Sequence, residues 1–191
     1  MPKKQLARQL SLALTALIVL VFLVRAVLIG SKAVWDGATS LVLLLLAWRL
    51  GQRFALSTPS LIMAELFLIA HNFGAHGLYD LSLFGLLGYD KVLHFYGPIV
   101  LFSIFFNDLK IRKGLAFRHC LAFAALITLG INAIQEVVEF VGNSLLGAGD
   151  GLYFYGSGDL GPNNTELDLV ANVLGVAVSV LIWAVARGRR T

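Results

Sequence analysis

Three short runs of acidic, amide and histidine side chains have the residue types and the helical spacing that chemistry requires. The runs are Asp90 with His94, then Asn132, Glu136, Glu139 and Asn143, and finally Asp168 with Asn172. Within each run the residues are three or four positions apart, and this spacing places side chains on one face of an α-helix. The sequence therefore predicts three polar helix faces that can meet in one cluster.

Such a cluster suits either metal binding or acid–base chemistry. Carboxylate oxygens and imidazole nitrogens together are ligands for divalent iron, manganese or zinc, so one divalent metal ion is the expected cofactor. Two neighbouring carboxylates also suit general acid–base catalysis. The predicted roles are metal ligation by His94, Glu139 and Asp168, acid–base catalysis by Glu136, and ligand binding by Asp90, Asn172 and His76. The alternative is that these groups only bond one another and hold helix ends together.

The elements that must position these residues are membrane helices. Hydrophobic residues make up 58% of the 191 residues and charged residues 14%, whereas a soluble domain has about 25% charged residues. Six apolar runs each approach the roughly 20 residues that cross a bilayer. They span residues 10–29, 34–51, 59–74, 92–108, 115–141 and 167–186. The sequence predicts an all-α polytopic membrane protein, with residues 1–191 forming a single domain of six transmembrane helices.

The distribution of basic residues predicts the orientation, because cytoplasmic flanks carry an excess of Lys and Arg. With a cytoplasmic N-terminus, the outer flanks hold only Lys32 and Lys91, and Arg25 lies inside the first span. The inner flanks then hold the other twelve of the fifteen basic residues: Lys3, Lys4, Arg8, Arg49, Arg53, Lys110, Arg112, Lys113, Arg118, Arg187, Arg189 and Arg190. Both termini are therefore predicted to be cytoplasmic. Because these residues form no basic stripe, the expected partner is the lipid bilayer and not nucleic acid.

This orientation brings the polar residues of four helices to the outer leaflet. His71 and Asn72 lie near the outer end of the third span, and Arg25 is expected to neutralise one of the acids. A glycine-rich loop at residues 142–166 is predicted to cover the cluster, and residues 77–91 are predicted to lie in the outer interface or to re-enter the membrane. The inner half of the membrane has mainly Glu65 and Asp108 as ionisable groups.

Three segments resemble a known family of membrane proteins. Residues 89–95, YDKVLHF, resemble the Asp-x-x-x-His-Phe motif of the YjdF-type bacterial inner-membrane proteins. Residues 135–140, QEVVEF, resemble the paired glutamates that those proteins carry on a helix, and residues 168–175, DLVANVLG, are similar to their closing helix. The last segment is also similar to the final helix of VanZ-like proteins, which are the alternative family. The resemblance implies a multi-pass protein of the bacterial cytoplasmic membrane, and it implies no particular reaction.

These observations lead to one functional hypothesis and two alternatives. The leading hypothesis is a pocket on the extracytoplasmic side that binds a metal ion or a lipid head group in a cell-envelope role, with enzymatic activity left open. The first alternative is a small transporter or permease, for which Glu65 would have to be reached from both sides of the membrane. The second is a structural membrane subunit in which the cluster only holds helices together.

Overall fold

In the part of the chain that the structure describes, the protein is a helical bundle with one very short β-hairpin. The computed structural model describes residues 3–31, 33–53, 57–80, 82–83, 87–111, 113–146 and 164–188. Within these residues the helices are α1 (Lys3–Leu28), α2 (Val34–Arg53), α3 (Thr58–Ala75), α4 (Tyr89–Ile111), α5 (Phe117–Leu146) and α6 (Asn164–Gly188). The predicted all-α fold class is confirmed.

Small elements of secondary structure lie among the described residues between α3 and α4. A 3-10 turn covers Leu78–Asp80, and strand β1 (Ser82–Leu83) pairs antiparallel with β2 (Leu87–Gly88). The hairpin leads directly into α4, which begins at Tyr89. The sequence predicted only an interfacial or re-entrant segment here, because two-residue strands are too short to produce a hydrophobic period.

Two helices extend into the range that the sequence predicted as the outer loop. Helix α5 continues to Leu146 and α6 begins at Asn164, so that both ends of the predicted loop at residues 142–166 are helical. The remainder, residues 147–163, lies outside the described residues. Helices extend past their apolar stretches because backbone hydrogen bonds form within the helix whatever the side chains are. The apolar stretch sets the membrane thickness that a helix can match, and it does not set the length of the helix.

Four of the helices are long and apolar enough to cross a membrane. These segments are Gln5–Leu28 in α1, Tyr89–Ile111 in α4, Phe117–Val141 in α5 and Thr165–Arg187 in α6. Helices α2 and α3 are not among them, so that the count of six spans remains a prediction for these two. The four segments support the membrane assignment by their length and composition.

The burial pattern is the reverse of that in a soluble protein. On α6, Leu181 is 62% exposed while Asp168 is fully buried. On α5, Ile134 is 66% exposed while Glu136 is 3% exposed. Large apolar side chains that face outward over whole helices indicate a surface covered by lipid. Polar groups turn inward, because the hydrocarbon region offers them no hydrogen-bond partners.

Helix α4 lies at the centre of the half of the protein that carries the predicted site, and it packs against α3, α5 and α6. Its approach to α6 depends on Gly175, because a Cβ atom there would collide with the carbonyl oxygen of Phe95 and lie 3.2 Å from Cβ of Pro98. Small residues at helix interfaces allow such close backbone contact in membranes. Further along α4, Phe106 packs against Trp183 of α6, with ring centroids 4.2 Å apart and planes inclined by 31°.

The close contact at Gly175 makes a prediction about stability. We expect Gly175→Ala to separate α4 from α6 and to lower the free energy of unfolding by about 1–3 kcal/mol, as overpacking typically does. The matched control is Gly130→Ala on α5, where a Cβ atom would meet nothing within 4 Å. That variant should be neutral or stabilising by up to about 1 kcal/mol, the difference in helix propensity. Thermal unfolding in detergent, followed by circular dichroism, measures both; a Gly175→Ala protein as stable as wild type contradicts the packing argument.

Candidate functional site

The site begins in the first two turns of α4. Asp90 lies in the first turn, where the helix N-terminus favours a negative charge. Its Oδ1 atom is 3.2 Å from Nε2 of His94 one turn later, and its Oδ2 atom is 2.7 Å from Nζ of Lys91. One carboxylate therefore contacts both an imidazole and an ammonium group.

Helix α6 brings a second carboxylate to the same two groups. Oδ1 of Asp168 is 2.6 Å from Nζ of Lys91 and 3.7 Å from Nε2 of His94. The Asp168 side chain is fully buried. Since Asp90 and Asp168 both lie near the N-terminal ends of their helices, α4 and α6 present their positive ends to the same cluster.

Helix α5 supplies the third carboxylate, on the other side of the imidazole ring. Oε1 of Glu136 is 3.2 Å from Nδ1 of His94 and 3.5 Å from Nδ2 of Asn172, which donates to it. Glu139, one turn further along α5, is half-buried and accepts a 3.0 Å hydrogen bond from Nε2 of Gln135. The ring of His94 therefore lies between carboxylates on both of its nitrogens.

The structure thus brings most of the predicted site residues together. Asp90, His94, Glu136, Asp168 and Asn172 form one buried group, joined by the contacts above. His76 is placed elsewhere, at the end of α3 against α1. Asn143 was part of the predicted α5 stripe, and the structure does not describe its side chain.

The sequence analysis missed Lys91 as a member of the site. Lys91 was counted as an outer flanking charge, yet its side chain is only 14% exposed and joins Asp90 to Asp168. The expectation that Arg25 neutralises one of the acids is not met by the contacts of the described residues, where Arg25 lies beside His76. An available signal was the position of Lys91 directly after Asp90 and one turn before the histidine.

Two groups of side chains in this cluster have the geometry to hold a cation. The first is Asp90, His94 and Asp168, all buried, and the second is His94, Glu136 and Glu139. In each group the ligand atoms lie within 4.8 Å of one another. The predicted ligand trio of His94, Glu139 and Asp168 is divided between the two groups, and His94 is common to both.

The charges of the cluster do not balance among the described residues. With Asp90, Glu136 and Asp168 ionised, the three negative charges face Lys91 and His94. Since a carboxylate only accepts, the carboxylates on both ring nitrogens require a protonated imidazole, and the cluster then has a net charge of one negative unit. Unbalanced charge is costly in a region of low dielectric constant, and a divalent cation would offset it.

A narrow cleft lies beside the cluster. Its polar lining consists of His71, Tyr79, Asp90, His94, Asn132 and Gln135. The cleft leaves the centre of a water-sized particle about 20 Å³ of room, whereas about 10–15 Å³ is enough for one water molecule. In this conformation the cleft therefore accommodates a water molecule or a metal ion.

A second polar chain approaches the cleft from α2 and α3. Oδ1 of Asp36 is 3.0 Å from Nε2 of His71, and Nδ1 of His71 is 2.5 Å from the hydroxyl oxygen of Tyr79. The Tyr79 ring fits over Gly74, where a Cβ atom would lie 2.5 Å from Cζ of the ring. Asp36 and Tyr79 were not predicted, because their common partner His71 is 35 positions from Asp36 and 8 from Tyr79, and neither separation is a helical contact within one turn.

His76 makes a separate contact that ties α3 to α1. Its Nδ1 atom is 3.2 Å from a guanidinium nitrogen of Arg25, and its ring lies 4.9 Å from that of Phe22. Because guanidinium only donates, Nδ1 of His76 accepts and the ring is neutral in this contact. Burial and then the charge of Arg25 lower the pKa of His76 from its ordinary value of 6.5.

This lowered pKa makes the stability of the α1–α3 contact dependent on pH. The unfolded chain binds a proton at His76 more readily than the folded protein does, so stability rises with pH. The contribution of His76 is complete above pH 6.5, the ordinary value, and is lost as the pH falls through the lower folded value. We expect the melting temperature of the wild type to fall more than that of His76→Gln between about pH 7.5 and about pH 5.5. Parallel slopes for the two proteins would show that His76 does not contribute.

Comparison with known proteins assigns the chain to a family. Residues 10–190 match the family model described as "Predicted membrane protein (DUF2238)". The resemblance to YjdF-type proteins is thereby confirmed, since that family is DUF2238. No curated protein and no solved structure matches the chain significantly. The match covers nearly the whole chain, and the protein belongs to the DUF2238 family of predicted membrane proteins.

Proposed function

We propose that this membrane protein binds one divalent metal ion through Asp90, His94 and Asp168. The observation that carries the proposal is the geometry of these three buried side chains, whose ligand atoms lie within 4.8 Å of one another. An imidazole with two carboxylates is a ligand set that iron, manganese and zinc accept. The set comes from α4 and α6, the two helices that Gly175 allows into close contact.

The environment of His94 supports this choice over the second ligand group. If Nε2 binds the ion, Nδ1 carries the proton and donates to Glu136, 3.2 Å away. A carboxylate that receives the second ring N–H of a ligating histidine is the usual arrangement around protein metals, because it fixes the ring and its tautomer. Asn172 in turn donates to Glu136. Glu136 then acts as a positioning residue, while its predicted role in acid–base catalysis remains a prediction.

The size of the cleft favours an ion over a lipid head group. The room beside Asp90 and His94 is that of a water molecule, about 20 Å³. A metal ion needs only its three ligands and a bound water molecule, which the cleft can hold. The ion would act on that water as a Lewis acid.

We infer that the site faces the outside of a bacterial cytoplasmic membrane, with six spans and both termini in the cytoplasm. The distribution of basic residues supports this orientation by the positive-inside rule. The site lies at the N-terminal ends of α4 and α6 and in the C-terminal half of α5, three positions that share one side of an antiparallel bundle. A metal centre there would serve a reaction or a binding event in the cell envelope.

The proposal predicts that metal ions stabilise the protein through the acids of the cluster. Added Zn²⁺ or Mn²⁺ should raise the melting temperature of the wild type. The free energy of unfolding should increase by about 2.7 kcal/mol at a free metal concentration one hundred times the dissociation constant. Asp168→Asn and His94→Gln should abolish the gain. The matched control is Glu166→Gln, an exposed acid two residues from Asp168 on α6, which should respond as the wild type does.

Elemental analysis of the protein purified in detergent measures the same site independently. We expect close to one metal ion per chain in the wild type and in Glu166→Gln, and a large loss in Asp168→Asn. A wild type that takes up no divalent metal under any condition, and whose melting temperature no metal changes, would overturn the proposal.

The position of Lys91 gives a second prediction. Its ammonium group lies between the two acids that the ion would bind, so that the lysine and the metal compete for the same negative charge. Lys91→Met should lower the stability of the metal-free protein by about 3–5 kcal/mol, the usual effect of removing one partner of a buried ion pair. It should also increase the stabilisation that added metal produces.

The control for this prediction is Lys110→Met, an exposed lysine at the other end of α4. Its melting temperature should match that of the wild type with and without metal. If metal stabilises Lys91→Met less than it stabilises the wild type, then Lys91 assists the ion and does not compete with it.

A further inference from the structure

The side chains of Asp36, His71 and Tyr79 form a hydrogen-bonded chain that the metal proposal does not use. Three separate elements supply them, namely α2, α3 and the 3-10 turn that follows α3. His71 is 1% exposed and Tyr79 is 9% exposed. Two of these three polar side chains are buried, so contact with water does not explain why they lie here.

The direction of the hydrogen bonds follows from the chemistry of the groups. A carboxylate only accepts, so Nε2 of His71 donates a hydrogen bond to Oδ1 of Asp36 over 3.0 Å. When the imidazole is neutral, Nδ1 has the lone pair and accepts a hydrogen bond from the Tyr79 hydroxyl, whose oxygen lies 2.5 Å away. An acid that orients a histidine, which in turn faces a hydroxyl group, is the arrangement that activates nucleophilic hydroxyls in unrelated enzymes.

The chain ends in the same cleft as the candidate metal ligands. Tyr79 and His71 line the cleft together with Asp90 and His94. The Tyr79 ring is held in place by the bare Gly74 backbone on one side and by an edge contact with Tyr89, whose ring centroid is 5.9 Å away. Its hydroxyl group is therefore fixed against His71 at the wall of the cleft.

We propose that Asp36, His71 and Tyr79 form a proton-transfer chain that activates the Tyr79 hydroxyl. The activated oxygen serves as a nucleophile toward an electrophile in the cleft or as a base toward a water molecule there. The hydroxyl proton passes to Nδ1 of His71, and the charge of Asp36 offsets the imidazolium that results. The phenolate oxygen formed in this way attacks an electrophilic centre or accepts a proton from a neighbouring group. The chain needs no metal, so that its test is independent of the metal proposal.

Acetyl transfer from N-acetylimidazole to the tyrosine hydroxyl groups provides the test. The new bond joins the phenolic oxygen to the acetyl carbon, the bond from that carbon to the imidazole nitrogen breaks, and the proton held by His71 leaves with the imidazole. The full-length protein in detergent, stripped of metal by chelator, is treated at neutral pH. Peptide mass spectrometry then measures the rate of acetylation at each tyrosine.

The protein contains two internal controls. The hydroxyl of Tyr89 donates to the carbonyl oxygen of Ala70 over 2.9 Å, and that of Tyr96 donates to the carbonyl oxygen of Met63 over 3.2 Å. Both of these tyrosines are more exposed than Tyr79, and neither faces a base in these contacts. Accessibility alone would therefore make Tyr79 the slowest of the three, whereas activation makes it the fastest.

We expect the rate at Tyr79 to fall about 10²-fold in Asp36→Asn and in His71→Gln, the lower end of what a positioned base contributes. Unchanged rates at Tyr89 and Tyr96 in the same samples show that the variants are folded, and Asp36→Glu, which keeps the carboxylate, should retain part of the rate. If Tyr79 reacts no faster in the wild type than in Asp36→Asn, the hydroxyl is either not activated or not open to the cleft. Either result overturns the proposal, because the proposal requires both.

Discussion

The imidazole ring of His94 lies between a carboxylate on each of its nitrogens, and the arrangement of α4, α5 and α6 depends on this double contact. The carboxylate of Asp90 on α4 contacts Nε2, and that of Glu136 on α5 contacts Nδ1. The carboxylate of Asp168 on α6 lies 3.7 Å from Nε2. None of these groups can turn outward, because the outer surface of the bundle is apolar and lipid offers no hydrogen bonds. The three helices must therefore meet at the ring.

The packing of the bundle serves the same requirement. Gly175 lies one turn beyond Asn172 on α6, and it allows the backbone of α6 to approach that of α4 closely enough for Asp168 to reach Lys91. Further along the two helices, Phe106 and Trp183 fill the space between them with aromatic rings. Close contact at the polar end and bulky packing beyond it together fix the relative position of the two helices. In a cluster of charges with little freedom to relax, the proposed cation and Lys91 would compete for the same two acids.

The cleft is bordered by two polar systems of different kinds. On one side the acids around His94 carry excess negative charge, and on the other the chain of Asp36, His71 and Tyr79 has a directed set of hydrogen bonds. The proposed cation site and the proposed hydroxyl chain would together hold a ligand and move a proton at the same place. This combination connects the two proposals, although each one depends on different residues.

The sequence by itself determined the class of the protein, the six helices and, except for Lys91, the residues of the main cluster. Long apolar runs specify membrane helices because backbone polar groups in lipid must be satisfied within the segment, and spacing of three or four residues specifies a shared face because of the helical period. Tertiary structure decided which side chains from different helices touch. Lys91 belongs to the site because α6 places Oδ1 of Asp168 2.6 Å from its ammonium nitrogen. Asp36 contacts His71 although the two residues are 35 positions apart. His76 contacts α1 and not the main cluster, because the guanidinium group of Arg25 lies 3.2 Å from its Nδ1 atom. Local periodicity carries no information about such pairs, since the rotation and the closest approach of each helix depend on the packing of its neighbours.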